Sequence, residues 1–349
     1  MCLKNIYTPT LLKMDKIDFV VTWLDSNDPE WIASYNHYRP EKPITDRGRY
    51  RDWDIFRYWF RAVEMYAPWV NRVFLITNGK NPDWINEKCP KLVLIKHSDY
   101  IPAEYLPTFS ARTIELYMDK IPGLSEHFVY FNDDMFLNAP AKPEDYFVNG
   151  LPCDCNAESM LYNPWYDAID RFGTKISLFC DVAVLNRHFD RREVVRQAKK
   201  KWLGPHLWNA SILSSLLLMG SGYFQFFKWH HWEQPLLKSI ISEVWNKEPF
   251  IMKESCSRFR QDASLNSYIF RYWQFASNKF HPVKFKTGQV FSLSLSKVDE
   301  ACQLISEGRI HSICLNDSPY CTDKDALSIE KRLQETFEKK FPKKSEFEK

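Results

Sequence analysis

The sequence lacks the glycine-rich motifs that cradle phosphates in many nucleotide-binding folds. Neither a Walker-type nor a Rossmann-type glycine pattern occurs, and glycine accounts for only 10 of the 349 residues. Phosphate-loop NTPases and dinucleotide-binding enzymes are therefore not indicated.

Long apolar runs are also missing. No stretch reaches about 18 apolar residues, so no membrane-spanning helix is expected. The longest candidate, 212–219, has the length of a core helix. The first residues, MCLKNIYTPTLLKMDK, do not resemble a signal peptide, because no long apolar run precedes a small-residue cleavage site. We therefore expect a cytoplasmic protein, either soluble or peripheral at the inner face of the cell membrane.

Cysteine spacing and net charge argue against two further classes. The nine cysteines are an odd number without regular spacing, and the pair Cys153 and Cys155 has no second pair at the spacing of zinc ligands. The thiols are therefore expected to be reduced. A net charge of +3 is too small to indicate nucleic acid binding.

Aromatic residues are abundant, at 16 % of the chain. They suit an aromatic core, and they also suit a cleft that binds sugars, so the composition leaves both interpretations open. With 45 % hydrophobic and 26 % charged residues, the chain is typical of a globular protein.

The most informative stretch is 107–137. A helix is predicted over 110–121, and the aromatic, β-branched run 127–131 predicts a buried strand that ends at Asn132-Asp133-Asp134. Two adjacent carboxylates at the end of an apolar strand are costly unless something pairs them. A magnesium ion that carries a phosphate would do so, whereas an ordinary polar turn is the alternative.

Further strands predict an α/β sheet with crossover helices. The segments 17–23, 72–77 and 92–95 read as strands, and a helix follows Arg51-Asp52. Polar residues end two of these strands, Asp25 after the first and Asn78-Gly79 after the second. Ligands of open α/β sheets bind beyond the carboxyl ends of the strands, although Asp25 is also an ordinary turn residue.

The second half of the chain contains three more signals. His230-His231 and Arg260 lie in aromatic stretches, where a histidine is usually structural. The strand 312–315 ends in Asn316-Asp317, which repeats the earlier strand-end pattern. The segment 187–201 holds seven Lys/Arg against two acidic residues, which fits a solvated helix or a contact with a phosphate-containing acceptor or an anionic membrane.

Several of these stretches, taken together, resemble the conserved regions of the Stealth family. The matching segments are IDFVVTWLDSNDPEW, APWVNRVFLITNG, LPTFSARTIELYMDKIPGLSEHFVYFNDDMF, WHHWEQPLLKSIISEVW with CSRFRQDASLNSYIF, and SICLND. Two departures occur: Ser26 replaces a usual glycine, and Pro235 comes later than usual after His231. Stealth proteins are sugar-1-phosphate transferases of bacterial capsule synthesis, and the animal lysosomal-enzyme GlcNAc-1-phosphotransferase is a relative.

The resemblance implies transfer of a hexose-1-phosphate, such as GlcNAc-1-phosphate, from a nucleotide sugar that is UDP-linked. The acceptor would be a hydroxyl of a glycan or lipid-linked glycan, and the products a phosphodiester-linked surface polysaccharide and a nucleoside monophosphate. Magnesium or manganese would bind Asp133, Asp134 and Asp317. His231 would act as general base, and Arg260 and Asp134 would also be catalytic. Nucleotide-sugar contacts are predicted for Trp23, Asp25, Arg51, Asp52, Asn78 and Gly79.

The predicted fold is a Rossmann-like or GT-A-like mixed sheet with flanking helices and a helical insertion. The catalytic domain is expected to comprise 1–140 and 229–325, with a mainly helical insertion at 141–228 that could hold the acceptor. An amphipathic, basic tail follows at 326–349, and its last residues are expected to be frayed. A metal-dependent glycosyltransferase that releases a nucleoside diphosphate and a non-catalytic glycan-binding protein remain alternatives.

Overall fold

A computed structural model describes residues 16–41, 51, 53–159, 172–207, 212–228, 231–261, 263–284, 288–318 and 321–349. The prediction for Asp52 therefore lies outside the described residues. The strands are β1 (Ile17–Thr22), β2 (Val73–Thr77), β3 (Leu92–Lys96), β4 (His127–Phe131), β5 (Met135–Leu137), β6 (Phe147–Val148), β7 (Leu151–Asp154), β8 (Glu158–Ser159), β9 (Phe226–Phe227), β10 (Gln234–Leu237), β11 (His281–Pro282), β12 (Gly288–Ser292) and β13 (Ser312–Asn316).

Helices flank these strands along the whole chain. They are α1 (Pro29–Tyr38), α2 (Phe56–Tyr66), α3 (Ala111–Leu116), α4 (Phe172–His188), α5 (Arg191–Gln197), α6 (Lys199–Trp202), α7 (Ile212–Leu217), α8 (Lys238–Lys247), α9 (Pro249–Ser255), α10 (Tyr268–Ala276), α11 (Val298–Glu307) and α12 (Asp323–Lys340). The helix predicted over 110–121 is split, because α3 is followed by a 3-10 turn at Met118–Lys120.

The main sheet has five strands in the order β10-β4-β1-β2-β3. β1, β2, β3 and β4 run parallel, and β10 pairs antiparallel to β4 at one edge. Every residue of β2 is buried, as are all but the last residue of β1. Strands that are buried along nearly their whole length are typical of a parallel sheet that is covered on both faces. The prediction of a mixed α/β fold is confirmed.

A smaller sheet, β12-β13-β5, adjoins the end of β4. Only the turn Asn132–Asp134 separates β4 from β5, so the chain passes from the large sheet into the small one at these residues. β13 runs antiparallel to β5, with Cys314 opposite Met135. This register brings the carboxyl end of β13 back to the turn that follows β4.

The predicted helical insertion contains more than helices. Helices α4 to α7 lie in 141–228, together with the short strands β6 to β9. β6 pairs with β7 and β8 with β9, both antiparallel. Strands of two to four residues are too short to show an alternating pattern, which is why the sequence did not indicate them. The predicted domain boundaries remain predictions.

The end of the chain packs against α2, so the expectation that it is frayed is wrong. The apolar stripe Ile329, Leu333 and Phe337 of α12 is buried, as the helical spacing predicts. Phe341 and Phe347 beyond the helix are 1 % and 3 % exposed. The many charges of KKFPKKSEFEK predicted a solvated tail. Phe341 and Phe347 instead bury their side chains and hold this segment in place.

In the parts of the chain that the structure describes, no helix combines the length and apolarity needed to cross a bilayer. The described cysteines are all free thiols.

Candidate active site

A cavity of about 440 Å³ opens where the carboxyl ends of the main sheet meet the small sheet. Its walls come from segments far apart in the sequence: the turns after β1 and β4, the end of β13, the entry to α2, and two loops of the second half. Seven residues predicted for the site line it, namely Trp23, Arg51, Asp133, Asp134, His231, Arg260 and Asp317.

The turn Asn132–Asp134 is held from two sides. Tyr130, at the end of β4, donates its hydroxyl hydrogen bond to Asn132 Oδ1 at 2.7 Å and also lies 3.1 Å from Glu115 Oε1. On the other side, the backbone N–H of Leu315 donates to the carbonyl of Asp134 at 2.9 Å. The antiparallel pairing of β5 with β13 therefore places the end of β13 directly beside the acidic turn.

Asp317 lies at that end of β13 and contacts Arg51. Arg51 Nη1 donates to Asp317 Oδ1 at 3.3 Å, and the backbone N–H of Ser318 donates to the same oxygen at 2.7 Å. Arg51 Nη2 reaches the exposed Asp323 at 3.0 Å, and the guanidinium lies 5.5 Å from the centre of the Trp53 ring. Arg51 is therefore a fixed part of the wall rather than a solvated surface arginine.

His231 faces Asp134, with 3.7 Å between Nε2 and Oδ2. Burial disfavours the charged imidazolium, but contact with the Asp134 carboxylate, together with the charge of Glu115, outweighs burial and raises the pKa of His231. A proton on Nε2 would face Asp134, and in that tautomer Nδ1 is the unprotonated ring nitrogen.

The carboxylates that line the cavity offer the oxygen ligands that a hard divalent cation prefers. Asp134 Oδ1 is buried, and no group among the described residues donates a hydrogen bond to it. A buried carboxylate oxygen in that state is costly unless a cation neutralises it, and magnesium and manganese prefer oxygen ligands. Asp133 and Asp317 line the same cavity and offer further oxygens.

A mixed set of Asp134, His231 and Cys314, whose ligand atoms lie within 4.8 Å of one another, fits a metal less well. A thiol must lose its proton to bind a metal. Burial of Cys314, followed by the charge of Asp134, raises the pKa of this thiol well above its ordinary value. The donor chemistry therefore favours a site of carboxylate oxygens.

The loop that carries Arg260 is held by hydrogen bonds from the segment 106–113. Buried Arg112 donates to the carbonyl of Gln261 and to Ser264 Oγ, the latter at 2.6 Å. The backbone N–H of Phe109 donates to the carbonyl of Arg258 at 2.7 Å. These contacts fix the loop on both sides of Arg260, which places the Arg260 guanidinium at the cavity.

Three predicted residues do not line the cavity. Asp25 follows β1 at the expected edge, but its carboxylate lies 2.9 Å from Lys80 Nζ and accepts from the backbone of Asn27. Asn78 and Gly79 form an exposed turn, in which Gly79 adopts a φ of 116° that favours glycine. The nucleotide-sugar contacts proposed for these residues remain predictions.

The cavity also has walls that the sequence did not reveal. They comprise the aromatic residues Trp31, Trp53, Phe56 and Phe109 together with Thr108 and His97. Burial lowers the pKa of His97 to about 4, so its imidazole is neutral at physiological pH. His97 directly follows β3, so the strand-end rule that drew attention to Asp133 could have found it. The aromatic residues gave no such signal, because core aromatics look the same in a sequence.

Comparison with known proteins gives a consistent result. The sequence profile of Stealth proteins, conserved region 2, matches residues 49–153. A receptor polysaccharide phosphotransferase of Streptococcus oralis is 37 % identical over 96 % of this chain and 100 % of its own. A capsular polysaccharide phosphotransferase of Streptococcus pneumoniae is 39 % identical over 87 % and 91 %, and an exopolysaccharide phosphotransferase of Lactiplantibacillus plantarum is 34 % identical over 95 % and 96 %.

Among solved structures, a galactosyltransferase in complex with donor and acceptor sugar analogues covers 91 % of this chain and 95 % of its own. The TM-score is 0.37 and the sequence identity 9 %. A likeness at that level assigns no function, and the mixed α/β class rests on the sheet topology instead.

Proposed function

The chain belongs to the Stealth family, and we propose that it is a sugar-phosphate transferase of surface polysaccharide synthesis. The proposed reaction moves a hexose-1-phosphate from a nucleotide sugar, with UDP-GlcNAc as the first donor to test, to a hydroxyl of a glycan or lipid-linked glycan. One observation carries the proposal: three carboxylates, His231 and two arginines from distant segments line a single cavity.

The proposed chemistry occurs at phosphorus. The acceptor oxygen attacks the sugar-proximal phosphorus, the bond from that phosphorus to the bridging oxygen breaks, and a nucleoside monophosphate leaves with the electron pair. Arg260, with its planar fork of donors, binds the non-bridging oxygens of the transferred phosphate and stabilises their charge. In phosphoryl transfer, such positioning and charge stabilisation account for most of the rate acceleration.

His231 takes the proton of the acceptor hydroxyl. Its Nε2 faces Asp134 at 3.7 Å, so Nδ1 is the nitrogen assigned to proton transfer. The neighbouring carboxylate stabilises the imidazolium that forms, as the raised pKa of His231 indicates. Asp134 thereby orients the base with one oxygen and keeps the other for a cation.

Asp133, Asp134 and Asp317 are the proposed ligands of magnesium or manganese. When bound, such an ion neutralises the pyrophosphate of the donor and the charge of the departing monophosphate. Arg51 holds Asp317 in place from the side through the 3.3 Å hydrogen bond to Oδ1.

The aromatic wall formed by Trp23, Trp31, Trp53 and Phe109 is the proposed position of the base and sugar rings of the donor. Flat apolar rings bind there by stacking, while the charged groups opposite bind phosphates.

The cytoplasm is the proposed compartment, because the described cysteines are free thiols and reducing compartments keep them so.

A screen of nucleotide sugars tests the proposal. The chain is incubated with each donor, a glycan acceptor and magnesium, and the released nucleotide is identified by chromatography, with acceptor-free reactions subtracted. The proposal predicts a nucleoside monophosphate that depends on acceptor. Stoichiometric release of a nucleoside diphosphate would instead identify a glycosyltransferase, and binding of glycan without any donor turnover would identify a binding protein.

A further inference from the structure

Helix α7 and the turn after it expose an unusual amount of apolar surface. The exposed side chains are Leu213 (67 %), Leu216 (45 %), Leu217 (64 %), Met219 (52 %) and Tyr223 (67 %). Isolated exposed apolar residues are common in soluble proteins, but five within eleven residues form a patch that needs an explanation. The cavity of the candidate active site does not use any of them.

A basic segment lies beside this patch. The stretch 187–201, which contains α5 and α6, carries seven Lys/Arg against two acidic residues. Its exposed cations include Arg192, Arg196, Lys199 and Lys200. Arg192 pairs with Asp190 at 3.1 Å and Arg196 with Glu193 at 2.5 Å, but the acidic residues are too few to neutralise the segment.

A buried ion pair holds the basic and apolar elements together. Arg191, at the start of α5, is fully buried and donates to both carboxylate oxygens of Glu158, at 2.7 and 2.6 Å. The same guanidinium donates to the backbone carbonyls of Ser215 and Leu218, at the carboxyl end of α7. The backbone N–H of Arg191 also donates to the carbonyl of Gly222 at 2.8 Å.

One exposed cation lies directly against the apolar turn. A Cβ placed on Gly222 would lie 3.1 Å from Arg192 Nη2 and 3.2 Å from Asp190 Oδ2, so the Arg192–Asp190 pair covers this glycine next to Tyr223. Arg192 therefore borders the apolar turn, and Arg196, Lys199 and Lys200 follow it along α5 and α6. Because Arg191 is anchored to Glu158, the arrangement is fixed by the fold and does not depend on flexible side chains alone.

We propose that this surface docks the protein on an anionic lipid bilayer. The docking surface comprises the five apolar residues of α7 and its turn, which enter the boundary between headgroups and acyl chains, and the cations Arg192, Arg196, Lys199 and Lys200, which bind lipid phosphates. Apolar side chains rimmed by cations are the combination that binds anionic membranes from one side.

The charge distinguishes the bilayer from a second copy of the chain. In a two-fold symmetric dimer the same patch would face itself, so the basic segments of both copies would be brought together and repel each other. An anionic lipid surface instead complements the cations and the apolar residues at the same time. Docking requires no step of the proposed reaction and can be measured without any substrate.

Vesicle co-sedimentation of the full chain tests the proposal. The probes are vesicles of phosphatidylcholine alone and of phosphatidylcholine with phosphatidylglycerol. We expect the protein to bind the anionic vesicles at least about tenfold more tightly than the neutral ones, with binding that weakens as salt rises. Equal binding to both kinds of vesicle, or to neither, would overturn the proposal.

Two variants and a control locate the surface. The Leu213→Gln/Leu217→Gln variant and the Lys199→Glu/Lys200→Glu variant should each weaken binding to anionic vesicles about tenfold or more. The control is Leu327→Gln on α12, which removes a side chain that is 70 % exposed elsewhere and should leave binding unchanged. Circular dichroism confirms that each variant is folded, and the leucine changes relieve rather than create exposed apolar surface.

Light scattering without lipid tests the alternative that a second copy of the chain covers the patch. A dimer that dissociates in the Leu213→Gln/Leu217→Gln variant, combined with no lipid binding by the wild type, would assign the patch to self-association and refute docking on a bilayer. A monomer that binds anionic vesicles supports the proposal. Failure of this test leaves the proposed transferase reaction untouched, because that reaction is assayed with soluble acceptors.

Discussion

Arg51 Nη1 lies 3.3 Å from Asp317 Oδ1, although 266 positions separate the two residues in the chain. The contact connects the segment that enters α2 with the end of β13. It holds Asp317, one of the three carboxylates that line the cavity. The geometry of the site therefore depends on a hydrogen bond between two segments that lie far apart in the sequence.

Substitution of Arg51 should impair catalysis more than folding. Arg51→Ala removes the charge-assisted hydrogen bond to Asp317, and we expect kcat/KM to fall about 10- to 100-fold. Arg51→Lys should restore only part of the loss, because an ammonium cannot reproduce the guanidinium fork. The matched control is Asp323→Asn, which alters the exposed partner of the same arginine. Equal losses in Asp323→Asn and Arg51→Ala would contradict a role through Asp317.

Removal of a carboxylate should weaken cation binding and activity together. Asp134→Asn and Asp317→Asn should each lower turnover about 100-fold or more, because each removes a charged ligand from the site. Titration with Mn²⁺, followed by the paramagnetic signal of the free ion, measures binding without substrate. Glu300→Gln, on the exposed face of α11, serves as the control. Activity that survives thorough chelation with EDTA would rule out the metal.

Loss of His231 should reduce the rate of the chemical step. His231→Ala is expected to lower kcat about 10²- to 10⁴-fold, the usual contribution of a general base, with little change in donor binding. His230→Ala, at the neighbouring position, should cost far less. A larger effect at His230 would mean that the histidine assignment in this segment is out of register. Steady-state kinetics at saturating donor measures both variants.

The contact between Arg61 and Glu348 should make the free energy of unfolding depend on pH in the acidic range. Burial disfavours ionised Glu348, but hydrogen bonds from Arg61 at 2.8 Å and from the backbone of Ser345 at 2.9 Å outweigh it and lower the pKa of this carboxyl. The contribution is therefore complete above the unfolded pKa, near 4.3, and is lost as pH falls through the lower folded value.

We therefore expect Glu348→Gln to reduce the free energy of unfolding at pH 7 by about 2 kcal/mol. Below about pH 4.3 the difference between variant and wild type should shrink, because Glu348 of the unfolded wild type takes up a proton there and Glu348 of the folded wild type follows at lower pH. Urea denaturation at a series of pH values measures both. A difference that stays constant down to pH 2 would show that Glu348 does not titrate in this way.

The parts of the site that could be predicted are those set by local sequence. The run 127–131 followed by Asn132-Asp133-Asp134 specifies a buried strand and a polar turn, and parallel strands place their carboxyl ends at one edge. The same reasoning identified the strand end at Asp317. It did not reveal that β13 belongs to a second sheet, since the pairing of β13 with β5 depends on contacts between residues about 180 positions apart.

Side-chain partners explain the remaining differences. Asp25 lies at the predicted edge, but Lys80 and the Asn27 backbone bind its carboxylate. The chain end looked solvated because it is rich in charge, whereas Arg61 on α2 provides the partner that allows Glu348 to be buried. A sequence gives the chemical type of each residue, but such pairings appear only once the elements are packed together.

The fate of one phosphorus atom tests the central claim most directly. A nucleotide sugar labelled with ³²P at the sugar-proximal phosphate is incubated with the chain and an unlabelled glycan acceptor, and the products are separated. If hexose-1-phosphate is transferred, the label appears in the glycan, in a phosphodiester that survives phosphatase, and the released nucleoside monophosphate is unlabelled. If the sugar alone is transferred, all label stays in a nucleoside diphosphate and the glycan carries none, which would contradict the account.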